Sequence, residues 1–161
     1  MKRKRKLSHY GPGGRVAMVD VTAKPPTVRS ARAQAFVKMK PAVVKRIRGL
    51  ETPKGDPLEI ARIAGIAAAK RTAELIPLCH PLLLTHIDVT ADLCQNGIRL
   101  ASQVRSTGPT GVEMEALTAV AVGALTLYDM CKALDPGMEL RNICLLEKTG
   151  GKSGTYRRRS G

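Results

Sequence analysis

The sequence has almost no aromatic side chains: it contains no tryptophan, one phenylalanine and three tyrosines among 161 residues. A core built by this chain must therefore consist of aliphatic residues and alanine. Hydrophobic residues make up 43% of the chain, which is too many for an intrinsically disordered protein. A chain of this length is expected to form one domain with a core of ordinary size.

Paired cysteines and long apolar runs are also missing. The four cysteines, at positions 79, 94, 131 and 144, form no Cys-x-x-Cys pair, and the three histidines add no metal-ligand spacing. We therefore expect reduced thiols, no metal site and a cytoplasmic location. We find no apolar run approaching the roughly 20 residues of a membrane helix, and the basic start is not followed by the apolar stretch of a secretory signal.

Acidic residues are scarce relative to basic ones: 13 against 27, for a net charge of +14. Much of this excess lies at the two ends, and residues 17–150 hold 17 basic and 13 acidic residues. We interpret residues 1–16 as a flexible basic arm, 17–150 as a single α+β domain, and 151–161 as a Gly-rich basic tail.

The hydrophobic periodicity predicts the element order β-α-β-β-α-β. Alternation at residues 31–37 predicts the first strand, and residues 41–48 predict an additional short helix. Asp56 and Pro57 are typical of the start of a long helix. This order predicts a ferredoxin-like α+β fold, in which an antiparallel sheet of four strands carries helices on one face.

The second half of the predicted fold depends on two local signals. Asn96-Gly97 predicts a tight hairpin turn, because both residues tolerate positive φ. Thr110 and Glu113 match a capping box, which predicts a second long helix that ends near Leu134. A last strand is predicted at residues 140–146.

Several polar residues within these elements are candidates for a functional site. Lys54 precedes a helix N-terminus, where an anion would meet free N–H groups, although it can equally be a simple loop lysine. His80 lies between Pro77 and Pro81, a setting that suits a fixed acid-base group or a buried structural histidine. Capping does not explain Glu115, which can bind the amidine edge of a guanine-like ring or lie at the surface.

Two further segments carry charge late in the chain. Asp129 and Lys132 are three residues apart at the end of an uncharged stretch, so they form either a surface ion pair or a partly buried acid-base pair. Residues 148–154 are rich in glycine and lysine but lack the glycine spacing of a P-loop. They remain a candidate phosphate-binding loop.

Together these segments resemble the cyclic pyranopterin monophosphate synthase family, also called molybdenum cofactor biosynthesis protein C. The resemblance runs from about Met18 to Gly154 and includes Lys54-Gly55-Asp56, Leu78-Cys79-His80 and Tyr128-Asp129-Met130-Cys131-Lys132. Eight blocks match in order: residues 18–21, 54–56, 61–66, 69–72, 75–82, 110–118, 128–132 and 150–154.

The resemblance implies a lyase that converts 3′,8-cyclo-7,8-dihydro-GTP, supplied by an upstream radical enzyme, to cyclic pyranopterin monophosphate with release of pyrophosphate. It implies catalytic roles for Asp129, Lys54 and Lys132, and substrate contacts from Leu78, Cys79, His80, Met114 and Glu115. We add Arg29, Lys148 and Lys152 as residues that hold the triphosphate. The rearrangement involves no net redox change, so no cofactor is expected.

The resemblance also implies a homohexamer, a trimer of dimers. Helix geometry independently favours an active site shared between subunits. Glu115 and Asp129 are fourteen residues apart, which places them about 21 Å apart along one helix. Two antiparallel copies of the helix would bring Glu115 of one chain near Asp129 of the other.

Two rival functions need no such chemistry. The first is a basic nucleic-acid-binding module with a ferredoxin-like fold, but the predicted hairpin strands hold no aromatic residue for base stacking and the first strand holds only Phe36. No specific nucleic acid and no membrane partner are therefore expected. The second is a non-catalytic nucleotide sensor, which loss of Asp129 or Lys132 would favour; both are present.

Overall fold

A computed structural model of the chain describes residues 9–10, 12–50, 52, 54–152 and 154–159. A short 3-10 turn at Pro12–Gly14 precedes the main elements. These elements are β1 (Thr27–Lys38), α1 (Pro41–Arg48), α2 (Pro57–Lys70), α3 (Thr72–Leu75), β2 (Leu84–Cys94), β3 (Gly97–Gly108), α4 (Glu113–Cys131), β4 (Glu139–Thr149) and β5 (Tyr156–Arg157).

The sheet has five strands in the order β2-β3-β1-β4-β5, and each neighbouring pair is antiparallel. The predicted α+β class and antiparallel pairing are confirmed, but the prediction of four strands is wrong. Gly150 and Gly151 adopt φ values of 93° and 72°, which are accessible to glycine without strain. The chain past them places β5 against the edge of β4, within the segment that the sequence indicated as a tail.

One face of the sheet carries the core. Alternate β1 side chains from Ala31 to Val37 are buried, as the alternation predicted. Helices α2 and α4 approach this face closely because they carry small residues. A Cβ at Gly65 of α2 would lie 2.8 Å from the Ala119 carbonyl oxygen of α4 and 3.4 Å from Val89 on β2. This packing fixes α4 across the sheet.

Helix α4 is more apolar than the sequence analysis recognised. An 18-residue window of α4 has a mean hydropathy of 1.3, enough by length and composition to cross a membrane, although the stretch without charged residues, 116–128, is shorter than a membrane helix. Half of that window is buried within the fold. Ala116, Ala119, Val120, Ala124 and Leu127 are fully enclosed, so these apolar residues of α4 form part of the core.

The predicted starts of helices α1 and α2 are confirmed. Helix α1 has the predicted bounds. Asp56 caps α2, where its Oδ1 accepts hydrogen bonds from the backbone N–H groups of Leu58 at 2.9 Å and Glu59 at 3.4 Å. An aspartate at this position satisfies N–H groups that have no partner within the helix.

The tight hairpin predicted between β2 and β3 is confirmed, but its turn is shifted by one residue, and the predicted capping box is wrong. The hairpin turn consists of Gln95 and Asn96, whereas Gly97 is the first residue of β3, and none of the three has positive φ. The expected capping box is also absent from this described region, since α4 begins after Val112 without a side-chain cap. Gly97 and Glu113 instead make tertiary contacts. Gly97 packs closely against β1, and Glu113 accepts a hydrogen bond from Lys148.

Candidate active site

A cavity of about 350 Å³ lies at the N-terminal end of α4. Its walls come from the loop before β2, the loop before α4, the first turn of α4 and the N-terminal segment. The lining residues are His9, Val19, Leu78, Cys79, His80, Leu82, Thr110, Gly111, Glu113, Met114 and Glu115. The sequence predicted five substrate contacts, at residues 78–80 and 114–115, and all five line this one cavity.

The loop between α3 and β2 orients His80. The turn is held by the backbone N–H of Cys79, which donates to the Ile76 carbonyl at 3.0 Å. The Nε2 atom of His80 lies 2.7 Å from the Val19 carbonyl oxygen. Because a carbonyl only accepts, this Nε2 carries the proton, and in the neutral ring Nδ1 is an acceptor.

Glu115 has an unusual environment for a carboxylate. It is buried, with 4% of its surface exposed. Burial raises its pKa, the hydrogen bond to its backbone lowers it and the nearby charge of Glu113 raises it, so that the pKa is about 7. Burial raises the pKa of the Cys79 thiol, and the nearby charge of Glu115 raises it as well. Near neutral pH Glu115 can therefore either donate or accept a proton.

Glu113 joins the cavity to the sheet. Its Oε1 accepts a hydrogen bond from Nζ of Lys148 on β4 at 2.6 Å, and both side chains are about one-third exposed or less. This pair places one predicted phosphate-binding lysine, Lys148, directly behind a lining residue of the cavity. The sequence analysis missed Glu113 as a site residue, because the capping pattern with Thr110 explained it locally.

Arg29 lies next to this wall, on the same face of the sheet. Its Nε donates to the Gly108 carbonyl at 3.3 Å and its Nη2 to the Pro109 carbonyl at 3.1 Å. A Cβ at Gly151 would collide with its guanidinium, so the turn before β5 lies against Arg29. Lys152 follows in this turn and is exposed; it does not line the cavity described above.

The three residues expected to be catalytic form a second cluster at the C-terminal end of α4. The Asp129 carboxylate contacts Nζ of Lys132 at 2.8 Å and Nζ of Lys54 at 3.5 Å. Lys132, and then Lys54, hold the pKa of Asp129 below its usual value, and Asp129 raises the pKa of Lys132. Asp129 is therefore a carboxylate and Lys132 an ammonium at neutral pH.

The two clusters do not meet within one chain. Glu115 and Asp129 lie fourteen residues apart on the continuous helix α4, which corresponds to about 21 Å along its axis. Among the described residues, no group of three or more His, Cys, Asp and Glu side chains is arranged to hold a metal ion. The chemistry available at each cluster is proton transfer, hydrogen bonding and electrostatic stabilisation of an anion.

A protein-family model described as the MoaC family matches residues 18–151 of the 161-residue chain. The chain belongs to the MoaC family. This membership gives the protein a role in molybdenum cofactor biosynthesis. The match contains the Asp129 cluster and the whole cavity lining except His9.

Within this MoaC protein, Glu113 in the first turn of α4 lines the cavity, although its position in the sequence predicted only a capping role. Residues 113–115 alternate two carboxylates with Met114, and a carboxylate in a first helical turn invites a capping interpretation. The structure instead shows that Glu113 contacts Lys148 on β4 and that, among the described residues, no side chain caps α4. His9 and Val19 lay in segments with no periodic signal.

Proposed function

We propose that this MoaC protein is a cyclic pyranopterin monophosphate synthase. It acts as a lyase in the cytoplasm and converts 3′,8-cyclo-7,8-dihydro-GTP to cyclic pyranopterin monophosphate and pyrophosphate. The observation that carries the proposal is that the chain holds two complementary clusters at opposite ends of one helix. One is an open cavity with buried Glu115, and the other is an exposed carboxylate with two lysines.

The Asp129 cluster suits the proton transfers of the rearrangement. Opening a purine-derived ring and closing a new one requires protons to leave and reach nitrogen and oxygen atoms, which positioned acids and bases accelerate. Asp129 is ionised beside two lysines and serves as the base. Lys132 remains protonated beside it and serves as a proton donor or stabilises the negative charge of departing pyrophosphate.

The cavity at the other end of α4 suits recognition of the heterocycle. A 2-amino-4-oxo pyrimidine edge presents N–H donors to a carboxylate, which favours Glu115 as the partner because it is buried in the cavity wall. Lys148 and Arg29, on the neighbouring strands, supply positive charge for the triphosphate. Lys152, in the exposed turn, is proposed to reach the same phosphates.

We further propose that each active site is shared between two chains of a homohexamer, a trimer of dimers. The separation of about 21 Å along α4 exceeds what a nucleotide-sized substrate can bridge along one helix. An isologous contact with antiparallel α4 helices would pair the cavity of one chain with Asp129 of its partner. The exposed Leu125 and Ile63, on α4 and α2, favour such a contact.

Product analysis tests the reaction. Purified protein is incubated anaerobically with the cyclic dihydro-GTP substrate, and the mixture is examined by mass spectrometry and by a pyrophosphate assay. We expect equal amounts of both products, loss of turnover in Asp129→Asn, and retained turnover in Asp92→Asn, an exposed aspartate on β2. Unchanged substrate with folded wild-type protein would refute the proposed reaction.

Subunit mixing tests the shared site. Glu115→Ala and Asp129→Asn proteins, each inactive alone, are refolded together. Each mixed dimer then carries both lesions in one site and leaves the other intact, so a fraction of wild-type activity is expected to return. Mixed dimers that form but remain inactive would refute the proposal that Glu115 and Asp129 act in one site shared between two chains.

A further inference from the structure

One wall of the cavity comes from a segment that the family match does not include. We call residues 9–10 and 12–19 the N-terminal strap. Its His9 and Val19 line the cavity, whereas the match to the MoaC family begins at residue 18. His9 is an exposed side chain in a cavity that also contains His80 and two carboxylates. The family comparison therefore assigns His9 no role.

The strap is held in place by specific backbone contacts. The Ala17 N–H donates to the His9 carbonyl at 3.0 Å, and Tyr10 forms an antiparallel bridge with Val16. Between these partners the chain reverses through Gly13 and Gly14, whose φ values of 77° and 75° favour glycine. The hairpin therefore fixes the backbone from which the His9 ring extends.

The strap is also attached to the loop on the opposite wall of the cavity. Val19 accepts the hydrogen bond from His80 Nε2 at 2.7 Å. This bond uses the N–H of the neutral His80 ring and leaves it an acceptor at Nδ1. His80 is thus oriented by the strap and has no second N–H for a ligand unless it is protonated.

Side-chain donors are few among the described residues of this cavity: the Thr110 hydroxyl, the weakly donating Cys79 thiol and the ring of His9. Glu113 and Glu115 are suited to the N–H groups of a 2-amino-4-oxo pyrimidine. That ring also has a carbonyl oxygen beside these N–H groups, and a buried acceptor without a partner weakens binding. A neutral imidazole supplies one N–H donor, and His9 is the side chain of the strap that meets the cavity with such a group.

We propose that His9 is a further ligand-contacting residue, which donates a hydrogen bond to the ring carbonyl of the pterin-type heterocycle. This inference rests on the proposed function and adds a specificity-determining contact to the same site. Glu115 and His9 then recognise the two halves of one edge: the N–H donors and the adjacent carbonyl. The N-terminal strap becomes part of the substrate site instead of a solvated arm.

The three histidines of the chain allow a direct test. Cyclic pyranopterin monophosphate, the proposed product, carries the same heterocycle edge and is added anaerobically to protein labelled at the histidine Cε1 position. We expect the NMR signals of His9 and His80 to shift with the same saturation curve. His86, exposed on β2, serves as the internal control and should not shift. A shift of His80 without His9 overturns this inference and leaves the proposed function intact; if neither shifts, both fail.

Variants measure the contact by affinity. His9→Ala should weaken binding of this ligand about tenfold, the value of one hydrogen bond to a desolvated acceptor. His9→Gln keeps a side-chain N–H and should remain within about threefold of wild type, and His86→Ala should be unchanged. Each variant must retain the wild-type melting temperature. Wild-type affinity in His9→Ala, or equal losses in the Ala and Gln variants, would overturn the proposed hydrogen bond.

Discussion

Replacing Glu115 with glutamine should stabilise the protein at alkaline pH. Burial raises the pKa of Glu115 from 4.5 to about 7, which means that folding favours its protonated form. The favourable contribution of the protonated carboxyl is complete below pH 4.5 and is lost as the pH rises from 4.5 to about 7. Glutamine resembles the neutral acid at every pH and does not suffer this loss.

The magnitude follows from the size of the pKa shift. Each pKa unit corresponds to about 1.4 kcal/mol, so the full shift would amount to about 3 kcal/mol. The carboxyl lines a cavity that opens to solvent, and solvent screening reduces this figure to about 2 kcal/mol. Glu115→Gln should therefore equal wild type in stability near pH 4.5 and exceed it by about 2 kcal/mol at pH 8.

Urea denaturation at these two pH values, at one fixed protein concentration, measures the effect. Fixed concentration is needed because self-association adds to the apparent stability. Glu74→Gln removes one exposed carboxylate from α3 and is the matched control. If Glu115→Gln is no more stable than wild type at pH 8, the argument that burial destabilises the ionised carboxylate is refuted.

Three further predictions follow from the packing and the charge distribution. Gly97→Ala places a methyl group against the Val37 carbonyl oxygen and should reduce the free energy of unfolding by about 2 kcal/mol, measured by urea denaturation. Wild-type stability of this variant would show that β1 can move to accommodate the methyl group. A double-mutant cycle of Glu113→Gln and Lys148→Met should give a coupling energy of about 1 kcal/mol, and additivity would contradict the ion pair. Replacing the three arginines at residues 157–159 with serine should lower the salt concentration that elutes the protein from heparin and leave turnover unchanged. RNA binding by this variant that resists salt would instead favour the nucleic-acid-binding function.

The elements that could be predicted from the sequence are those specified by neighbouring residues. Asp56 and Pro57 define the start of α2 because a cap and a fixed φ act within one turn. The buried alternation of β1 likewise follows from the period of a strand. The resemblance in segments such as 78–80 and 128–132 was sufficient to indicate the family, which the match over residues 18–151 confirms.

The elements that could not be predicted depend on contacts between distant segments. Gly97 was interpreted as a turn residue, whereas the fold requires it because β1 passes too close for a side chain. The fifth strand depends on a free edge of β4, which no local pattern in residues 156–157 reveals. Strand addition at an edge is decided by the partner that is available.

The sequence alone thus determined the family and the α+β class, and it nominated the side chains that we propose carry the chemistry. Only the tertiary structure decided how those side chains are grouped and charged. Glu113 pairs with Lys148, 35 residues away, and His80 binds Val19, 61 residues away. The burial of Glu115 likewise depends on the packing of segments that are distant in the sequence. A pKa or an ion pair of this kind reflects the surrounding dielectric and the partner charge, and both exist only once the helices and strands have packed.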